Sequence, residues 1–448
     1  MLRSTPFAWG LALVLALIAG MQALGEFPRQ SGVDIYQFWG VPRARAVSGE
    51  PHSPYVDGAG YARTLNALAD SSSSLAFRRA NERRRVLEPM GTPFLYAAYS
   101  AFPRDFDATL ALYTFVLYAA AVGSVFALAR MRGVKAPYAA CAALAVVLTF
   151  RPFFFDVAVG NVNSLQLAIL TAVTWLALRA AARPAKPLDA LYLGILAPFV
   201  AFKPNTPWIA AAMALQQGTA LGSRRLALGL LSGAILGAAA LAIGIAYFGD
   251  AAVWGEWLRL VRGLDGSGLR LTLDQGNLSI PMWLADHRVL GLGVVGWGLA
   301  LGALLLAAVA AALVAGAGPA SAAAGRAIAA DPWFAMSLGV LLTFLSSPLV
   351  WPHYGVLALL PMAWLLLPSV AGRLGIACAC AAYAASSTLF VDSLLRAGQG
   401  SLARAAMVLA WTALIPGLIG YVFDRARRAR PHAASTYNRR LVEREEWR

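Results

Sequence analysis

Residues 226–248 read LALGLLSGAILGAAALAIGIAYF, an apolar run with no charge, set between Arg224-Arg225 and Gly249-Asp250. A membrane crossing needs about 20 such residues. In hydrocarbon a helix satisfies all of its own backbone groups, so this stretch reads as a membrane-spanning helix. The same pattern recurs along the chain. Of 448 residues 59% are hydrophobic and only 13% charged, with mean hydropathy +0.63. A soluble domain carries about 25% charge and must cover its exterior with polar groups. The composition therefore excludes a soluble enzyme, a disordered chain and a disulfide scaffold. It predicts an all-α polytopic membrane protein.

Apolar runs predict about twelve spans, near 7–25, 108–129, 137–155, 162–181, 188–202, 207–223, 226–248, 289–315, 332–349, 354–369, 374–391 and 402–423. Residues 1–25 have some marks of a secretory signal, but the run from Phe7 to Leu24 is long enough to cross, so a retained first helix is expected. Net charge is +15, from 37 Lys+Arg against 22 Asp+Glu. Basic residues collect in cytoplasmic loops, here Arg130-Arg132-Lys135, Arg179-Arg183-Lys186, Arg224-Arg225 and the tail from Arg425. Both termini then lie inside, and 26–107, 156–161, 203–206, 249–288, 350–353 and 392–401 face outward. The stretch 90–103 is apolar but short, and either lies in the interface or turns back. Residues 1–423 form one membrane domain with long outer loops 26–107 and 249–288. The basic tail 424–448 rests on anionic inner-leaflet lipid. Cys141, Cys378 and Cys380 lie in apolar runs and read as packing residues.

Polar chemistry gathers in the outward loops. Asp34 sits in Val33-Asp34-Ile35-Tyr36-Gln37-Phe38-Trp39. It reads either as a general base with Tyr36 and Trp39 stacking on sugar faces, or as a helix cap within an interfacial aromatic belt. Arg78, Arg79, Arg83, Arg84 and Arg85 form either a solvated helix face or, through one or two members, a grip on phosphate. In Gly160-Asn161-Val162-Asn163-Ser164, Asn161 reads as the helix cap and Asn163 as a ligand, with the helix end favouring an anion. Lys203-Pro204-Asn205 places a cation between two short apolar runs, a costly position unless it has a partner or a task. Asp274-Gln275-Gly276-Asn277 is a turn or an acceptor contact. Ser347-Pro348-Leu349-Val350-Trp351-Pro352-His353 is a rigid turn whose His353 can donate to phosphate or a sugar oxygen. There is no Walker A run, H-E-x-x-H motif or GxSxG elbow, and no metal-ligand spacing.

In order and spacing these motifs resemble glycosyltransferase family 87, a bacterial group in the C-type superfold of polyprenyl-phosphate-sugar-dependent transferases. The matching segments are Asp34-Ile35-Tyr36, Thr92-Pro93-Phe94-Leu95-Tyr96, Gly160-Asn161-Val162-Asn163, Lys203-Pro204-Asn205 and Ser347 to His353. Asn161 and Asn205 stand where the family's pattern has Gln. The resemblance implies a polyprenyl-phosphate-linked mannose donor and an acceptor hydroxyl on a glycolipid, glycan or other molecule. It implies inverting transfer at the periplasmic face of a bacterial inner membrane. Asp34 would be the base. Lys203, His353 and an arginine of 78–85 would meet the leaving phosphate. Tyr36, Trp39, Asn161, Asn163, Asn205, Gln275, Asn277 and Trp351 would line the sugar and acceptor. No cofactor is implied and no metal is required, although outer carboxylates such as Asp57 leave metal dependence open. The rival readings are a secondary transporter, which should show internal repeats and midplane helix breaks, and a non-catalytic envelope scaffold.

Overall fold

The computed structural model of the protein describes residues 5–26, 30–49, 52–87, 89–182, 191–263, 276–366 and 368–445. The first apolar run forms α1 (Thr5–Glu26). The segment expected as a long outer loop carries four helices: α2 (Val33–Ser48), α3 (Gly58–Asp70), α4 (Leu75–Arg83) and α5 (Pro93–Tyr99). Side-chain caps start three of these. Asp57 accepts from the Gly60 amide, Ser74 from Phe77 and Thr92 from Leu95, each satisfying a backbone donor the helix leaves free. There follow α6 (Phe106–Met131), α7 (Ala136–Thr149), α8 (Arg151–Val159), α9 (Asn163–Ala182), α10 (Tyr192–Phe202) and α11 (Pro207–Leu221). Then come α12 (Ser223–Phe248), α13 (Val253–Gly263), α14 (Ile280–Asp286), α15 (Val294–Ala317), α16 (Ser321–Ala329) and α17 (Pro332–Ser346). A 3₁₀ turn at Pro352–Ala358 leads into α18 (Leu359–Leu365), α19 (Pro368–Ala385), α20 (Thr388–Arg396), α21 (Gly400–Thr412) and α22 (Leu414–Glu445).

Among the described residues six helical stretches are long and apolar enough to cross a membrane: Thr5–Gly25, Phe106–Met131, Asn163–Ala182, Ser223–Phe248, Val294–Ala317 and Gly400–Ala429. The pair α16–α17, bent by 82°, makes a seventh if counted as one span. The chain is thus a polytopic helical membrane protein, but twelve full-length spans are not reached. The shortfall has local causes. The expected span 137–155 breaks at Phe150, whose backbone turns extended and pairs with Ser387, and Pro152 then opens α8. Within the span expected at 188–202, the described residues form α10, eleven residues with Pro198 inside it. The one expected at 354–369 begins as a 3₁₀ turn after Pro352. The stretch 90–103 does not cross: α5 has seven residues, about 10 Å at 1.5 Å per residue.

Segments assigned to one side of the membrane by charge meet one another. At one end Asn161 reaches Asp34, Arg45 donates to the Phe248 carbonyl, Arg151 pairs with Asp392, and Asn277 donates to the Pro348 carbonyl. At the other end Arg132 donates to the Trp364 carbonyl, Tyr421 to Asp331 and Gln216 to the Ala330 carbonyl. The two long loops are tied to each other as well: the Ser53 hydroxyl donates to Glu256 at the start of α13. Exposed leucines and isoleucines such as Leu230, Leu231 and Ile235 line α12, a face that suits lipid and not water.

Candidate active site

Gly160 ends α8 in a left-handed turn, φ 69°. A Cβ there would come within 2.7 Å of Ile35 Cγ2, so the close approach of α2 requires glycine. This contact brings the first turn of α2 against the α8–α9 junction. Asp34 lies in that first turn. Its Oδ2 accepts from Asn161 Nδ2 at 2.7 Å. Asn161 Oδ1 in turn accepts from Lys203 Nζ at 2.8 Å, and Asn163 Oδ1 accepts from the same ammonium at 2.9 Å. Lys203 Nζ stands 4.3 Å from the centre of the Tyr354 ring, a cation–π contact. Arg84 Nη2 is 3.9 Å from Asp34 Oδ1, and the Asp34 side chain keeps 15% exposure. A partly exposed carboxylate, a bridging amide and a cation therefore meet at one place.

Beneath them lies Asp156, fully buried. Its Oδ1 accepts from the backbone and side-chain amides of Asn163, at 3.2 and 2.9 Å. Its Oδ2 accepts from the amide and hydroxyl of Ser164, at 2.8 and 2.6 Å. Tyr99 donates to Tyr113, which donates to the Asn161 carbonyl at 3.0 Å, so the junction is propped from α6 too. His353 is 5% exposed, and its Nε2 has no hydrogen-bond partner among the described residues.

Burial sets the electrostatics. It raises the Asp34 carboxyl above its ordinary value, against the opposing pull of the Asn161 bond, Arg84 and Lys203. It lowers the Lys203 ammonium to about 8, with Asp156 and Asp34 working the other way. It pushes His353 well below its usual value, and the Lys203 charge adds to that. At neutral pH His353 is therefore uncharged, and one ring nitrogen carries a single donor proton.

The residues expected from sequence divide. Asp34, Asn161, Asn163 and Lys203 come together, and Asn205 stands next to them, accepting from Gln166 Nε2 at 3.3 Å. Two expectations about the helix start are corrected. Asn161 is not the cap of α9; the Asp156 carboxylate is, and because it occupies the first amides, that helix end is not open to an anion. Of the five arginines Arg84 reaches Asp34, while Arg78, Arg79, Arg83 and Arg85 are exposed. Tyr36 and Trp39, expected to stack on sugar, are core residues in this structure. They are 1% and 4% exposed and pack on Phe77 and Phe106, with Tyr36 donating to Asn81 at 2.6 Å. Asn277 is a brace: it donates to the Pro348 carbonyl and accepts from the Val350 and Ser279 amides. Trp351 stacks 6.5 Å from the His353 ring and borders an apolar hollow with Phe150, Met407 and Trp411. Gln275 lies outside the described residues. Among those residues no group of three His, Cys, Asp and Glu converges as a metal-ligand set.

Tyr36→Phe separates packing from ligand contact. It strands the buried Asn81 oxygen, which costs about 1–3 kcal/mol. The unfolding temperature of the detergent-solubilised protein is expected to fall, with substrate KM unchanged. A raised KM at unchanged stability would restore the sugar-stacking role.

The model of glycosyltransferase family 87 matches residues 89–348. That range holds the Asn161–Asn163 junction and Lys203; it begins after Asp34 and ends before His353. No curated protein and no solved structure matches the chain.

Proposed function

We infer the reaction from what the chain is: it belongs to glycosyltransferase family 87 and is a membrane glycosyltransferase. The proposed donor is a polyprenyl-phosphate-linked sugar, mannose by family resemblance, and the acceptor is a hydroxyl of a glycolipid, glycan or other molecule. The proposed site is the non-cytoplasmic face of a bacterial inner membrane, within a C-type architecture. Its twelve crossings would include short apolar helices such as Ala136–Thr149 and Tyr192–Phe202.

One observation carries this reading: a single amide, Asn161, joins the Asp34 carboxylate to the Lys203 ammonium. In the proposed step the acceptor oxygen attacks the anomeric carbon through an oxocarbenium-like transition state, as in glycoside chemistry. Asp34 takes the hydroxyl proton as the bond to the lipid phosphate breaks. A single displacement inverts the anomeric centre. The charges change in concert. Asp34 loses its negative charge on accepting the proton, so Lys203 is less compensated at the moment the leaving phosphate gains charge. A cation aimed at charge that develops in the transition state accelerates the reaction. His353, neutral, donates one hydrogen bond to the phosphate. The proposal needs no cofactor besides the lipid-linked substrate.

The test supplies membranes carrying the protein with radiolabelled polyprenyl-phosphate-mannose. Label is expected to move from the carrier to a covalent product. Substrate-dependent flux across sealed vesicles with no covalent product would instead identify a transporter.

A further inference from the structure

We propose that Asp156 is a positioning residue, whose buried carboxylate orients the Asn163 amide so that its oxygen holds Lys203 at the site. This rests on the reading of Lys203 as the cation that meets the leaving phosphate. Asp156 has no role in the transfer step above, yet it is fully buried and receives four hydrogen bonds. Taking a carboxylate out of water is costly unless its oxygens are bonded, so such a group is a demanding way to start a helix. A serine or asparagine next to Asn163 would cap α9 with less desolvation.

What the carboxylate adds is direction. An asparagine amide has two chemically different ends of nearly the same shape. Asp156 Oδ1 accepts from Asn163 Nδ2 at 2.9 Å, and Asn161 Oδ1 accepts from the same nitrogen at 3.1 Å. Both protons of that nitrogen are thereby used, and Asn163 Oδ1 is left facing Lys203 at 2.9 Å. A carboxylate has no donor, so it fixes this orientation. A neutral amide at 156 presents either end and leaves Asn163 free to turn its NH₂ toward the ammonium. Asn161 is set by the same device on the other flank, since Asp34 accepts from its nitrogen and Lys203 donates to its oxygen. Two carboxylates thus bracket one lysine through two asparagines. The charged and titratable groups around Lys203 are Asp34 from α2, Asp156 from α8, Arg84 beyond Asp34, and His353 and Tyr354 from the 3₁₀ turn.

The variant is Asp156→Asn, with Asn163→Ala as a second that spares the carboxylate and its two bonds to Ser164. The first readout does not depend on activity. Competitive acylation with acetic anhydride followed by mass spectrometry gives the pH at which the Lys203 amine becomes reactive. The midpoint is expected near 8 in the parent. It should fall by on the order of 1 pH unit in Asp156→Asn, and also fall in Asn163→Ala. The second readout is a cycle with Lys203→Met in the transfer assay. If Asp156 acts through Lys203, its replacement costs at least tenfold in kcat/KM in the parent and less than threefold once Lys203 is methionine. An unmoved labelling midpoint in both folded variants overturns the proposal, as does a loss of the same size in both backgrounds. A Lys203→Met protein with full activity sinks the phosphate reading instead, and the labelling midpoint then still decides whether Asp156 orients the lysine.

Discussion

Replacing Asp34 by asparagine is expected to lower sugar transfer by about 10²–10⁴-fold, the range general-base catalysis supplies, with the folded fraction unchanged. Asparagine has the shape of the carboxylate, and its oxygen can still accept from Asn161 Nδ2. Arg84 loses little, because its approach to Asp34 is long at 3.9 Å. Stability is not expected to fall, since a half-buried amide costs less to desolvate than a half-buried carboxylate. What disappears is a group able to take a proton. The structure also removes the alternative in which Asp34 is a helix cap. The residue preceding α2 is Gly32, with no side-chain cap bond, and Asp34 lies inside the first turn with its carboxylate turned to Asn161. The measurement is label transfer at matched expression, with thermal unfolding in detergent run beside it. Unimpaired transfer would end the assignment of Asp34 as base. Two other acids of the expected outer loops are engaged elsewhere: Asp57 caps α3, and Glu256 accepts from Ser53.

The sequence made some of this legible and hid the rest for identifiable reasons. Long uncharged runs such as 108–129 and 294–317 appear as helices where hydropathy puts them, because in lipid nothing competes with the intrahelical bond. Shorter runs fail that rule. Phe150 and Pro152 interrupt one, and the Pro348-to-Pro352 turn delays another; hydropathy alone does not register where a backbone bends. At the site, Asp34, Asn161, Asn163 and Lys203 were recognisable because a polar group beside apolar runs needs a reason. Asp156 was not, since it follows three phenylalanines and its four donors become its partners only after Gly160 reverses the chain. The spacing from Asp156 to Asn163 and Ser164, seven and eight residues across a glycine turn, is the trace this arrangement leaves in the sequence. Tyr354 reaches Lys203 from some 150 positions away, and no local pattern carries that. Tyr36 and Trp39 misled for the opposite reason. An aromatic next to a membrane span reads equally as a belt, a sugar platform or core, and only the packing of Phe77 and Phe106 decides for core.

Lys203→Met is expected to reduce kcat/KM by about 10²–10³-fold, comparable to deleting one preorganised donor at a developing anion. Lys203→Arg should keep part of the activity and change its pH dependence. The kcat/KM profile reports the ionisations of the free protein, and two groups shape it. Asp34 works as a base only when deprotonated. Burial raises its pKa, so activity is lost as pH falls through a value above that of an ordinary aspartate. Lys203 works only when protonated. Burial lowers its pKa to about 8, so activity is lost as pH rises through about 8. His353 is held neutral well below its ordinary value and contributes to neither limb near neutrality. The parent profile is therefore a bell whose basic side belongs to Lys203. A guanidinium does not deprotonate in this range, so in Lys203→Arg the basic limb should vanish while the acid limb stays. In Asp34→Asn the acid limb should go from whatever activity remains. A basic limb near 8 that persists unchanged in Lys203→Arg would show that another group titrates there, and the phosphate-facing cation would have to be sought in Arg84 instead.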